Sequence, residues 1–236
     1  MGKIPGLTLA SNSPRRRQLL SLTGLDFQVQ AASLDESLLP GEHPRDYVIR
    51  LARAKAEEVS RIVGGSGFFL AADTIVVDND AILGKPSDQQ EAFSMLKGLR
   101  GHTHQVYSGM VLRRVHKNQA VSDLCVIDVP MRGYSDQEIN AYVATGDPLD
   151  KAGAYAIQHD GFHPVENMQG CYAGVMGLPL CHLVRMFRRM DVTLNENVPS
   201  QCQAELNYDC PVWQKILDDS ELFEGLSQQK GLKKKE

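Results

Sequence analysis

Residues 9–17 read Leu-Ala-Ser-Asn-Ser-Pro-Arg-Arg-Arg and put three arginines directly behind a helix start. Ser11-Asn12-Ser13 is a capping run, and Pro14 suits the first helical position, where its missing N–H costs nothing. Cations in a first helical turn oppose the positive end of the dipole, at about 0.3–1 kcal/mol each when exposed. An anion reverses that sign, because free backbone N–H groups and guanidinium forks both suit phosphate. A solvated basic turn is the competing reading of the same residues.

Asp73 is the second chemical feature. It sits inside the apolar run Phe68–Val77, where an isolated carboxylate is very costly unless paired, hydrogen-bonded or bound to metal. Its structural alternative is an aspartate capping a turn at a strand end, although the small Ala71-Ala72 pair fits a site at a strand's carboxyl edge. Glu36 lies in a polar connection and could share a divalent cation with Asp73, or be a plain loop acid. Lys55 falls near the apolar face of its helix, where snorkelling to water is the ordinary fate. Lys85 stands on a turn stiffened by Pro86, which aims an ammonium well. His102 and His104 alternate at a strand entry, but no third ligand is spaced to complete a metal set. His159 and His163 flank a turn and read as exposed.

The elements that must carry these residues alternate between strand and helix. The patterning predicts strands at 7–10, 27–31, 68–77, 104–115 and 121–132. Helices are predicted at 14–22, 44–63, 89–96 and 178–190, with another starting at Ser135-Asp136-Gln137-Glu138, a capping-box signature. Gly64-Gly65-Ser66-Gly67 ends the long helix, and Asp78-Asn79-Asp80 is a turn. This order favours an α/β fold with a mixed twisted sheet flanked by helices. After Asp191 the texture becomes polar. Residues 191–236 therefore read as an appendage to a 1–190 domain, with an amphipathic helix near 212–223 anchored by Trp213, Ile216 and Leu217, docked through Trp213, and a frayed Lys-rich end.

The whole chain limits the function classes. Its 236 residues are enough for one domain with a substantial core. A net charge of −4 argues against a general nucleic-acid or anionic-membrane binder, so any basic site is local. Five cysteines without CxxC spacing fit neither a disulfide framework nor a zinc ribbon, which points to a reducing cytoplasm. No signal peptide or membrane span is expected. P-loop, Rossmann and nucleophile-elbow motifs are missing from the sequence.

Four blocks occur in order: Leu9-Ala-Ser-Asn-Ser-Pro-Arg-Arg16, Ala71-Ala-Asp-Thr-Ile-Val76, Leu83-Gly-Lys-Pro86 and Asp150-Lys-Ala-Gly-Ala-Tyr-Ala-Ile-Gln158. With them the chain resembles the Maf family of nucleoside triphosphate pyrophosphatases, from about Leu7 to Met190. The resemblance implies an ITPase-like fold with two lobes around a cleft. It also implies hydrolysis between the α- and β-phosphates, with Mg²⁺ or Mn²⁺ as cofactor. On it, Asp73 resembles the general base or the group orienting the attacking water, and Glu36 and Asp73 resemble the metal-holding acids. Ser11, Arg15, Arg16, Lys55 and Lys85 would hold the triphosphate. Arg15, Thr74 and Gln158 match the subfamily that looks selective for dTTP and UTP, and a glutamine amide suits a pyrimidine's imide edge.

The resemblance further implies a homodimer. Three departures stand out: His159-Asp160 where the family has Gly after the glutamine, Cys171 where it prefers Ser, and a C-terminal appendage without a family counterpart. The other expectations for function are a 7-methyl-GTP or other modified-nucleotide pyrophosphatase, and a nucleotide-responsive regulator of cell division and septum formation.

Overall fold

The computed structural model describes residues 6–218. Its centre is a mixed sheet built on β3 (Phe68–Asp78), the most apolar run of the chain. One edge of β3 pairs antiparallel with β5 (Thr103–Arg114), which pairs in turn with β6 (Gln119–Pro130). The other edge is shared. β1 (Leu7–Leu9) runs parallel to Phe68–Leu70 and carries β2 (Phe27–Val29) outside it, while β4 (Ala81–Leu83) folds back on Val76–Asp78. Positions 71–75 on that edge have no strand partner, and the cleft opens there.

The two faces of β3 follow from its alternation. Phe69, Ala71, Ile75 and Val77 pack under α2 (Pro44–Val63), against Val48, Ala52, Ala56 and Val59. Phe68, Leu70, Ala72 and Val76 face the main core. That core is closed by α3 (Gln89–Leu99), α4 (Asp136–Ala144) and α6 (Leu180–Arg188). α2 lies close to the sheet because Gly109, opposite Asp73, has no side chain; a Cβ there would come within 3.0 Å of the Val48 carbonyl. α1 (Pro14–Ser21) follows β1, and the short α5 (Tyr172–Val175) precedes α6.

The expected α2 boundaries match those observed, with His43 as N-cap and Gly64, at φ +66°, as C-cap. The Ser135 capping box is present on both sides. Three elements escaped the patterning, β4, the short α5 and α7 (Val198–Leu206). The C-terminal helix α8 spans Trp213–Asp218 among the described residues; the remainder of the expected helix and the Lys-rich end lie outside them. Trp213 is not the anchor that was expected. Cys202, Leu206, Tyr208, Val212 and the expected anchor Leu217, half-buried as Trp213 is, pack on the core. The tail is also hydrogen-bonded there, since Arg185 and Arg188 donate to the carbonyls of Ile216 and Leu217, both at 3.3 Å. No helix among the described residues is long and apolar enough to cross a membrane.

Candidate active site

Asp73 sits mid-strand rather than at a strand end, facing α2 and only 7% exposed. Lys55 does not snorkel outward. Its Nζ lies 2.6 Å from Asp73 Oδ1 and 2.7 Å from Glu36 Oε1, so one ammonium bridges the two carboxylates. The close seating of α2 lets a lysine beside its buried stripe reach inward. Burial raises the Asp73 pKa, against the opposing pull of Lys55 and Arg16. Glu36 is more than half exposed at its side chain and approaches from the loop, which Tyr47 steadies by donating from its hydroxyl to the Glu36 carbonyl at 2.7 Å.

Facing this pair is the β1–α1 arm. Ser13, in extended conformation, caps α1 by accepting from the Arg16 N–H, and Pro14 occupies the first turn. Ser11 Oγ accepts from the Ser13 N–H and from Arg16 Nη1, at 3.2 and 3.3 Å. Arg16 also donates from Nε to the Gly177 carbonyl and from Nη2 to Thr74 Oγ1, both at 3.1 Å. Its guanidinium is thus largely committed inside the protein. Arg15 and Lys85 line the same cleft and make no hydrogen bond or ion pair among the described residues. Arg17 is exposed and outside the lining.

The cleft holds about 860 Å³. Its lining also includes Val106, Tyr155, Ile157, Val175 and Met176, and the exposed Gln158. Gly153 lets this segment pack on β3, since a Cβ there would meet Val76 at 2.9 Å in a backbone already at φ +69°. His159, the departure next to Gln158, is absorbed by its own turn. Its Nδ1 accepts from the N–H groups of Gly161 and Phe162, and its ring packs on Tyr142 at 4.5 Å. The Gln158 amide lines the cleft and has no hydrogen-bond partner among the described residues. Cys171 is buried against the thiols of Cys125 and Cys210 and is not part of the lining.

The nine residues that the family resemblance assigns to the site (Ser11, Arg15, Arg16, Glu36, Lys55, Asp73, Thr74, Lys85 and Gln158) line this one cleft. His102 and His104 do not. His102 contacts Asp78 at 3.0 Å, while His104 is buried behind Tyr155 and hydrogen-bonds its hydroxyl at 2.8 Å. Lys151 was missed. It lines the cleft but is held by Asp147 and Asp150, at 2.9 and 2.7 Å, and the only hint was its place in the fourth block.

The two converging carboxylates are hard oxygen donors of the kind Mg²⁺ or Mn²⁺ accepts. Among the described residues no group of three or more His, Cys, Asp or Glu could hold a metal ion. A cation here would complete its shell with water and phosphate oxygens, which is the usual habit of Mg²⁺.

A mixed sheet flanked by helices, whose interrupted edge brings a lysine-bridged acid pair opposite an arginine-bearing helix start, places the chain among the α/β proteins. The chain belongs to the Maf-like protein family, whose model matches residues 6–190. It is 48% identical over 184 residues to a dTTP/UTP pyrophosphatase of Geotalea uraniireducens, covering 78% of this chain and 94% of that one. A protein of the same name from Anaeromyxobacter dehalogenans is 46% identical over 187 residues, again covering 78% and 94%. Among solved structures, the Staphylococcus aureus Ham1 protein overlaps 86% of this chain and 98% of its own, at 12% identity and a TM-score of 0.39.

Proposed function

We propose that this protein hydrolyses dTTP and UTP to the nucleoside monophosphate and pyrophosphate. The observation that carries the reading is the bridge from Lys55 to Asp73 and Glu36, set across the cleft from Arg15, Lys85 and the capped start of α1. Such a reaction needs charge neutralisation and an oriented water rather than a covalent intermediate.

Asp73 takes the proton from the water that attacks the α-phosphorus, while the bond from that phosphorus to the β-phosphate oxygen breaks and pyrophosphate leaves. A carboxylate whose pKa is raised by burial is a better base than an exposed one, and Lys55 fixes the orientation of its oxygen. Arg15 and Lys85, without a hydrogen-bond or ion-pair partner among the described residues, take the phosphates. Arg16 and Ser11 hold the arm in shape. Glu36 and Asp73 would hold Mg²⁺ or Mn²⁺, which when bound supplies further charge neutralisation on the phosphate oxygens. Gln158 offers a donor and an acceptor to a pyrimidine imide edge. Five free cysteines suit a reducing compartment such as the cytoplasm.

The test is pyrophosphate release from dTTP, UTP, CTP, GTP and 7-methyl-GTP with Mg²⁺, for the wild type and Asp73→Asn. Preference for dTTP and UTP, lost in the variant, is the expected result. A variant as active as the wild type refutes the role of Asp73. A preference for 7-methyl-GTP refutes the pyrimidine assignment and leaves the chemistry.

A further inference from the structure

Ser108 lies on β5 opposite Thr74 and is fully buried. Its hydroxyl donates to the Gly174 carbonyl at 2.7 Å, and a carbonyl can only accept. The 2.8 Å contact between Ser108 Oγ and Thr74 Oγ1 must therefore carry the Thr74 proton. Thr74 in turn accepts from Arg16. The direction is fixed along the whole chain: Arg16 donates to Thr74, Thr74 to Ser108, and Ser108 to Gly174. No hydroxyl proton of Thr74 remains for a ligand.

The ends of this chain bracket a short segment. Ser108 holds the Gly174 carbonyl and Arg16 Nε holds the Gly177 carbonyl. Between them stand Val175 and Met176, both in the lining of the cleft, as is Gln158. The same segment cannot slide. A Cβ on Gly174 would meet Ile127 and Cys125 at 2.9 and 3.0 Å, and one on Gly177 would meet Thr74 Oγ1 at 2.9 Å.

We infer that Ser108 is a positioning residue for nucleobase selection. Through Gly174 it sets the Val175–Met176 wall, and through Thr74 it locks that wall to the arginine of the phosphate arm. Thr74 acts on specificity through Arg16 and Ser108, not by touching the base. This inference rests on the reading of the cleft as a pyrimidine triphosphate site.

The experiment compares steady-state kinetics on UTP and GTP, and melting temperatures, for wild type, Ser108→Ala, Thr74→Val, Thr74→Ser and the Ser108→Ala/Thr74→Val double variant. Ser108→Ala is expected to raise KM for UTP about tenfold while kcat changes less than about threefold, as fits a lost ground-state positioning contact. Its preference for UTP over GTP should fall. Thr74→Ser keeps the hydroxyl and should behave as wild type. The double variant should match the worse single variant, because both cut one chain.

A wild-type KM and base preference in Ser108→Ala overturns the inference, as do multiplying effects in the double variant. So does a parallel loss of kcat and melting temperature with the base preference intact, the signature of a merely structural serine. If Ser108→Ala does not fold, Thr74→Val against Thr74→Ser decides on the same criteria. A wild type that releases no pyrophosphate from UTP or dTTP overturns the functional reading itself, and this inference with it.

Discussion

Gly177→Ala tests the network around Arg16 by a route that can be worked out from geometry. Gly177 has φ +102°, and an added Cβ would stand 2.9 Å from Thr74 Oγ1 and 3.2 Å from Arg16 Nε. Gly146 is the control. It also has a left-handed backbone, at φ +76°, but nothing lies within 4 Å of its added Cβ. The left-handed conformation alone costs an alanine roughly 1–2 kcal/mol in either place. At Gly177 the clash also forces Thr74 and Arg16 apart, and a hydrogen bond to a charged group is worth about 1.5–3 kcal/mol. The expected destabilisation is therefore about 3–5 kcal/mol for Gly177→Ala against about 1–2 kcal/mol for Gly146→Ala.

Urea unfolding reads this directly. With an m-value of about 3 kcal/mol/M, the Gly177 midpoint should fall by about 1 M or more and the Gly146 midpoint by about 0.5 M. Equal shifts in the two variants would show that the Arg16–Thr74 contact contributes no stability, and the account of the arm would fail.

The carboxyl of Asp73 has a folded pKa above its ordinary value because burial outweighs Lys55 and Arg16. Its contribution to stability is thus complete below the ordinary carboxylate range and is lost as pH rises through the raised value. Unfolding of wild type and Asp73→Asn between pH 4 and 8 should show the wild type gaining relative to the variant as pH falls; a constant difference counts against the buried charge. His104, 2% exposed, is pushed by burial down to about 4. The unfolded chain takes up that proton first, so stability should drop by up to about 1.4 kcal/mol per pH unit below about 6.5. His104→Gln should flatten that slope. Asp123 is held below its ordinary range by His182 and Arg185 despite the upward push of burial, and it grips Arg185 at 2.8–3.0 Å. Asp123→Asn leaves a buried cation unpaired and should cost about 3–5 kcal/mol by denaturant titration. It should also speed limited proteolysis of the tail that Arg185 holds.

Much of the site could be read before any geometry was known. A carboxylate inside Phe68–Val77 has few stable fates, and arginines behind Ser-Asn-Ser-Pro have few reasons to be there. What stayed hidden depended on distant partners. Arg15 and Arg16 are indistinguishable as neighbours in sequence, yet only Arg16 meets Gly177, 161 positions away. Ser108 carries no local signal, since its importance lies in the register that sets it opposite Thr74. β4 was missed because Asn79 and Asp80, both at positive φ, turn the chain in two residues into a strand of three. α7 was missed because Pro199 reads as a loop residue, although within the first turn it is compatible with a helix. In the tail, size misled: Trp213 is the largest apolar group, but backbone carbonyls and smaller side chains make the attachment.

The shared edge of β3 has a consequence for the order in which the molecule forms and comes apart. Asp73 belongs to the long antiparallel run β3–β5–β6, whose pairing extends over most of each strand. The arginine arm hangs from β1, which meets β3 through only three residues and across some sixty positions of chain. Contacts that close long loops form late in folding and open early in local unfolding. The arm shares the main core with β3 through Leu19 and Leu20, but its strand register is the shorter one and spans the longer stretch of chain. A destabilised variant is expected to open the three-residue β1 register before the β3–β5–β6 pairing, which faster hydrogen exchange at Leu7–Leu9 than in β5 would show.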